Sequence, residues 1–184
     1  MSHLVPRSAL NKIIIVAALG YFVDIYDLLL FGIVRVPSLN SLGLNADEVG
    51  TTIINWQMSG LLIGGILWGV IGDKKGRLKV LFGSILLYSI ANILTSFVQN
   101  VDQYAYCRFL GGIGLAGELG AGITLVSEML PKNKRGIGTS MVAGIGLSGA
   151  VFAYFTFKYT QDWRLCYKIG GGLGFFLLVL RVRV

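Results

Sequence analysis

Residues 69–79 read Gly69-Val70-Ile71-Gly72-Asp73-Lys74-Lys75-Gly76-Arg77-Leu78-Lys79. This run of glycines and charges ends one membrane-length apolar segment and begins the next. Gly76 suits a tight turn in which φ is positive. Gly69 and Gly72 are expected to let neighbouring backbones approach closely. The cations Lys74, Lys75, Arg77 and Lys79 hold such a loop on the cytoplasmic side of a bilayer.

The composition says which solvent surrounds the rest. Of the 184 residues, 54% are hydrophobic, 14% are charged and 26 are glycine. Soluble domains carry about 25% charged residues, so lipid is the better match. Several apolar windows exceed the roughly 18 residues that cross a hydrocarbon core about 30 Å thick. The net charge of +7 does not point to nucleic acid, because the cations gather in short loops without interleaved exposed aromatics.

Membrane helices are predicted at 12–35, 49–71, 78–99, 103–130, 137–158 and 164–182. Pro37, with Ser38 and Asn40, is expected to break the chain after the first helix, and Pro131, with Asn133, after the fourth. Residues 1–8 form a tail in which Leu4-Val5-Pro6-Arg7-Ser8 resembles an engineered protease site, and 9–184 form the six-helix domain. One side of the predicted membrane holds Arg7, Lys12, Lys74, Lys75, Arg77, Lys79, Lys132, Lys134, Arg135, Arg181 and Arg183. The other holds only Arg35, Lys158, Arg164 and Lys168. This asymmetry places both termini in the cytoplasm of a multi-pass protein of the cell (inner or plasma) membrane.

Four charges fall inside these helices. Asp24 and Asp27 share one face of the first helix, one turn apart. A buried carboxylate costs on the order of 3 kcal/mol and needs a partner, water or a proton. Two such groups together supply a site that binds and releases a proton. Arg108 and Glu118 lie in the fourth helix. At about 1.5 Å per residue, Asp27 is roughly 12 Å and Arg108 roughly 8 Å below one membrane face, so a salt bridge between first and fourth helices is feasible. Glu118 matches Asp24 in depth. The four are expected to form one polar cluster facing the bundle interior, with three acids against one cation. Gln57 is the preferred further substrate contact. Asn55, Trp56, Asn92 and Tyr154 are equally suited to cavity lining or to helix packing.

The motif at 69–79 resembles the signature loop of the major facilitator superfamily of transporters. Asp24-Ile25-Tyr26-Asp27, Arg108-Phe109-Leu110-Gly111-Gly112-Ile113-Gly114 with Gly117-Glu118, and Ser127–Gly136 are similar to metabolite:proton, phosphate:proton and sugar:proton symporters. The resemblance implies an all-α fold of six transmembrane helices in two inverted three-helix repeats, half of a twelve-helix transporter. It implies that Asp27 and Arg108 couple proton binding to opening, and that Glu118 carries protons or contacts substrate. It also implies a cytoplasmic gate built from Gly69, Gly72, Asp73, Lys74, Gly76, Arg77, Lys79 and Glu128. In that gate Arg77 pairs with Glu128, and Asp73 meets a helix end in the other half. Phosphate carriers have Asp then Tyr-Pro where this chain has Glu118-Leu119-Gly120, which points away from phosphate.

The expected partners are the bilayer, protons, a small polar or charged metabolite, and a carboxy-terminal six-helix half or a second copy. The alternative is a self-contained six-helix protein acting as a homodimeric carrier or assembly factor. An enzyme is not expected, since no Ser/His or Cys/His set is present; neither a cofactor nor a metal is called for. Gly112-Ile113-Gly114-Leu115-Ala116-Gly117 and Gly144-Ile145-Gly146-Leu147-Ser148-Gly149 spell a dinucleotide-binding pattern. Both lie inside apolar helices, where close helix packing explains them better.

Overall fold

The computed structural model describes residues 7–129 and 135–182, with side chains described except at 7–14, 77–78 and 119–129. Six helices follow in order: α1 (Arg7–Ser41), α2 (Ala46–Lys75), α3 (Arg77–Thr95), α4 (Val101–Met129), α5 (Arg135–Thr160) and α6 (Trp163–Val182). Among the described residues, Ile15–Ser41, Ala46–Lys75, Arg135–Thr160 and Trp163–Val182 are long and apolar enough to cross a membrane. Lys79–Thr95 is a shorter apolar helix, and α4 carries Asp102, Arg108 and Glu118 along its length.

Helix ends follow local chemistry. The Asn45 side chain accepts a bond from the Asp47 amide, and Asp47 and Glu48 occupy the first turn of α2. Lys74 and Lys75 sit in its last turn, each end thus complementing the helix dipole. Gly76 stops α2 with φ at 88°, as the sequence led us to expect. Pro37 does not break the chain: it lies inside α1, which continues to Ser41. Proline removes one helical bond, but here only in the last turns. The Ser38 and Ser41 hydroxyls donate back to the Arg35 and Ser38 carbonyls, and the extension buries Ser38 and Leu39. The expected break at Pro131 and Asn133, residues 1–6 of the expected tail at 1–8, and Arg183 lie outside the described residues, while Arg7 and Ser8 of that tail already begin α1.

The neighbour pattern carries the internal symmetry. The pairs in contact are α2/α4 and α1/α5, α3/α4 and α1/α6, α2/α3 and α5/α6, α1/α2 and α4/α5, with α1/α4 and α3/α6. Exchanging α1–α3 for α4–α6 maps this set onto itself, as two three-helix repeats require.

Glycine sets the closest seam. A Cβ at Gly60 would strike the Phe109 carbonyl, one at Gly64 would lie 2.6 Å from the Ile113 carbonyl, and one at Gly112 would strike the Gln57 carbonyl. α2 and α4 therefore meet backbone to backbone. The mirrored seam is α1/α5, where Gly149 faces the Phe22 carbonyl and Gly146 the Tyr21 ring. Gly69 and Gly72 do not make such contacts. A Cβ at Gly69 meets nothing described within 4 Å, and one at Gly72 meets Val80 at an ordinary 3.5 Å.

Polarity is distributed inside out. Arg108 is 0% exposed whereas Leu62 is 71% exposed. Charged groups in the interior and large apolar side chains outside are what a lipid-facing bundle demands.

Candidate functional site

Arg108 of α4 is the centre of the polar interior. Its Nη1 donates to Asp27 Oδ1 of α1 at 3.2 Å and to Asn92 Oδ1 of α3 at 3.1 Å. Its Nη2 donates to the Asp27 main-chain carbonyl at 3.2 Å, and its Nε to Gln57 Oε1 of α2 at 3.3 Å. The Tyr167 ring of α6 lies 5.3 Å from the guanidinium carbon. Five helices thus converge on one planar cation whose fork of donors fits such a cage. Asp27, Gln57, Asn92 and Arg108 are all buried. Desolvating this pair is costly, and the added hydrogen bonds offset that cost. The expected α1–α4 salt bridge is present.

A second ion pair lies toward the 72–79 end. Glu118 Oε1 accepts from Arg181 Nη2 of α6. A Cβ at Gly20 would lie 2.5 Å from both of these atoms, so the missing side chain on α1 makes room for the bridge. Asp24 and Tyr88 lie within side-chain reach of Glu118. The four expected charges are thus all interior, as two linked pairs rather than one knot, and the cation count is two rather than one. Arg181 was assigned to the cytoplasmic surface by its place at the end of the last helix. The signal that could have found it is Gly20, a gap on the Asp24 face of α1.

Among the described residues, seven interior polar atoms have no hydrogen-bond partner: Asp24 Oδ1, Asp27 Oδ2, Gln57 Nε2, Tyr88 Oη, Asn92 Nδ2, Glu118 Oε2 and Arg181 Nη1. Such groups are expensive to leave unpaired and are where protons or ligands act.

At the opposite end, the Tyr104 hydroxyl donates to Ser38 Oγ and lies 3.1 Å from the Tyr167 hydroxyl. Trp163 Nε1 donates to Ser41 Oγ. Arg164 donates to the Ser96 and Val98 carbonyls at the end of α3. These bonds close α1, α3, α4 and α6 together above Arg108.

Among the expected gate residues, Asp73, Lys74, Gly76 and Lys79 are exposed around the α2–α3 turn. The side chains of Arg77 and Glu128 lie outside the described residues, and so does their expected bridge. Asn55, Trp56 and Tyr154 are exposed, whereas Asn92 belongs to the Arg108 cage.

The sequence profile of the Major Facilitator Superfamily matches residues 17–184. The chain is 28% identical over 173 residues to the niacin transporter NiaP of Acinetobacter baylyi, covering 92% of this chain. It is 28% identical over 175 residues to the 4-hydroxybenzoate transporter PcaK of Pseudomonas putida, covering 93% of this chain. It spans 39% of each relative's own length. Its fold matches a structure of the proton:xylose symporter XylE with a TM-score of 0.86 at 21% identity, over 96% of this chain and 45% of that one; XylE is from E. coli.

Proposed function

The chain belongs to the Major Facilitator Superfamily, and from that premise we propose that it is the amino-terminal six-helix half of a proton-coupled symporter. Transport is the activity that NiaP and PcaK are named for. The observation that carries proton coupling is the Asp27–Arg108 pair, sealed in a cage contributed by α1, α2, α3, α4 and α6.

Breaking a buried pair by neutralising one member is worth about 3–5 kcal/mol. That is enough to bias two conformations of a carrier by more than tenfold. A proton reaching Asp27 weakens its hold on Arg108, loosens the cage between α1 and α4, and lets this half rock against a partner half. Gln57, with its oxygen on Arg108 and its amide nitrogen unpartnered, transmits the change to the substrate.

For the substrate we infer a small polar or charged metabolite, with an organic acid as the leading class. The relatives are named for niacin and 4-hydroxybenzoate, each of which bears a carboxylate. An anion moving with a proton adds no net charge to the membrane. The 72–79 turn, with Asp73, Lys74, Gly76, Arg77 and Lys79, and Glu128 on α4, then form the cytoplasmic gate. Both termini lie in the cytoplasm of a plasma-membrane protein.

The test is uptake into proteoliposomes holding the full-length transporter, with labelled niacin, 4-hydroxybenzoate and xylose as probes. An acid-outside gradient should concentrate a probe above its external level, and a protonophore should abolish this. Equal uptake with and without the gradient would overturn proton coupling.

A further inference from the structure

The Asp27–Arg108 mechanism leaves the second pair unused. Glu118 of α4, Asp24 of α1, Tyr88 of α3 and Arg181 of α6 meet in one buried volume, with Asp27 one turn further along α1. Each of the four leaves one polar atom without a partner among the described residues, namely Asp24 Oδ1, Tyr88 Oη, Glu118 Oε2 and Arg181 Nη1. Two carboxylates against one guanidinium leave a single negative charge, and in a low-dielectric interior one proton balances it.

Resting on the symporter reading, we propose that Arg181 is a coupling residue that exchanges places with this proton. With the proton on Asp24, Arg181 pairs with Glu118. When the proton moves from the Asp24 carboxyl to the Glu118 carboxylate, the guanidinium passes from Glu118 to Asp24. One proton and one cation change partners, and the cluster keeps its charge. Gly20 supplies the passage, because a Cβ there would lie 2.5 Å from Arg181 Nη2 and crowd the guanidinium. The exchange moves the ionic tie of α6 from α4 to α1, two helices related by the internal repeat. It therefore changes which repeat α6 holds. Tyr88 serves as a hydroxyl partner for whichever carboxyl is protonated.

Infrared difference spectra of the full transporter in lipid, stepped in pH, test this directly, with protons as the only probe. Asp24→Asn and Glu118→Gln assign the carboxylic-acid C=O bands. Arg181→Met should move the midpoint of the assigned band about one to three pH units toward alkaline, since it removes a cation beside the carboxylates. Arg181→Lys should restore most of that change. An unmoved midpoint in Arg181→Met overturns the proposal. Should Arg181→Met fail to fold, the Glu118→Gln/Arg181→Met pair serves instead: it keeps the Asp24 carboxyl without its neighbouring cation, so the remaining band should titrate at more alkaline pH than in Glu118→Gln alone, and an equal midpoint also overturns the proposal. In the same vesicles, Arg181→Met should retain labelled niacin exchange while losing gradient-driven accumulation. Proton-driven uptake with an unmoved band would sink this inference alone, whereas a moved band without gradient dependence would sink the symport reading.

Discussion

Arg108 holds Asp27 at two points, the carboxylate oxygen through Nη1 and the residue's own main-chain carbonyl through Nη2, each at 3.2 Å. One contact answers to charge and the other to helix position. Neutralising the carboxylate weakens the first and leaves the second, so α1 keeps its register when the electrostatic tie is loosened.

Removing one partner should therefore harm the fold more than removing both. Arg108→Ala leaves the Asp27 carboxylate buried and unpaired, a loss of about 3–5 kcal/mol. The Asp27→Asn/Arg108→Gln variant removes both charges together and should recover part of that stability. Thermal unfolding in detergent reads the difference; a double variant no more stable than Arg108→Ala would argue against a mutually compensating pair.

The glycines should separate into two classes. Gly60→Ala and Gly112→Ala press a methyl into facing main chain, where nothing can yield cheaply, and should cost about 1–3 kcal/mol each. Gly144→Ala meets nothing described within 4 Å and should be neutral. Melting temperatures of the three variants check this, and equal effects would contradict a backbone-to-backbone α2/α4 seam.

Orientation is open to chemical labelling. With Cys107 and Cys166 replaced by serine, Lys74→Cys should react with an impermeant maleimide only in inside-out vesicles, and Asp47→Cys only in right-side-out ones. The reverse pattern would invert the topology read from the lysine and arginine asymmetry.

Much of the site was legible because membrane depth is a one-dimensional coordinate. Counting residues from a helix end put Asp27 level with Arg108, to which the bundle pairs it, and Asp24 level with Glu118, whose ion-pair partner is Arg181. Arg181 was not legible, since the positive-inside rule assigns a terminal arginine to the surface and cannot see a long side chain folding back past Gly20. Pro37 misled for a related reason. The rule against proline assumes a helix interior, whereas Ser38 and Ser41 here satisfy the last turn with their own hydroxyls. The glycines of the 69–79 motif and those of the packing seam look alike in sequence. Only the facing carbonyls of Phe109, Ile113 and Gln57 distinguish them.

The central claim is that a proton on Asp27 drives transport by releasing Arg108. Labelled niacin or 4-hydroxybenzoate in proteoliposomes of the full-length Asp27→Asn transporter tests it most directly, by comparing exchange with uptake driven by a pH gradient. The account predicts exchange at a rate near that of the unmodified protein, with no accumulation under the gradient. Accumulation to the unmodified level in Asp27→Asn would contradict it.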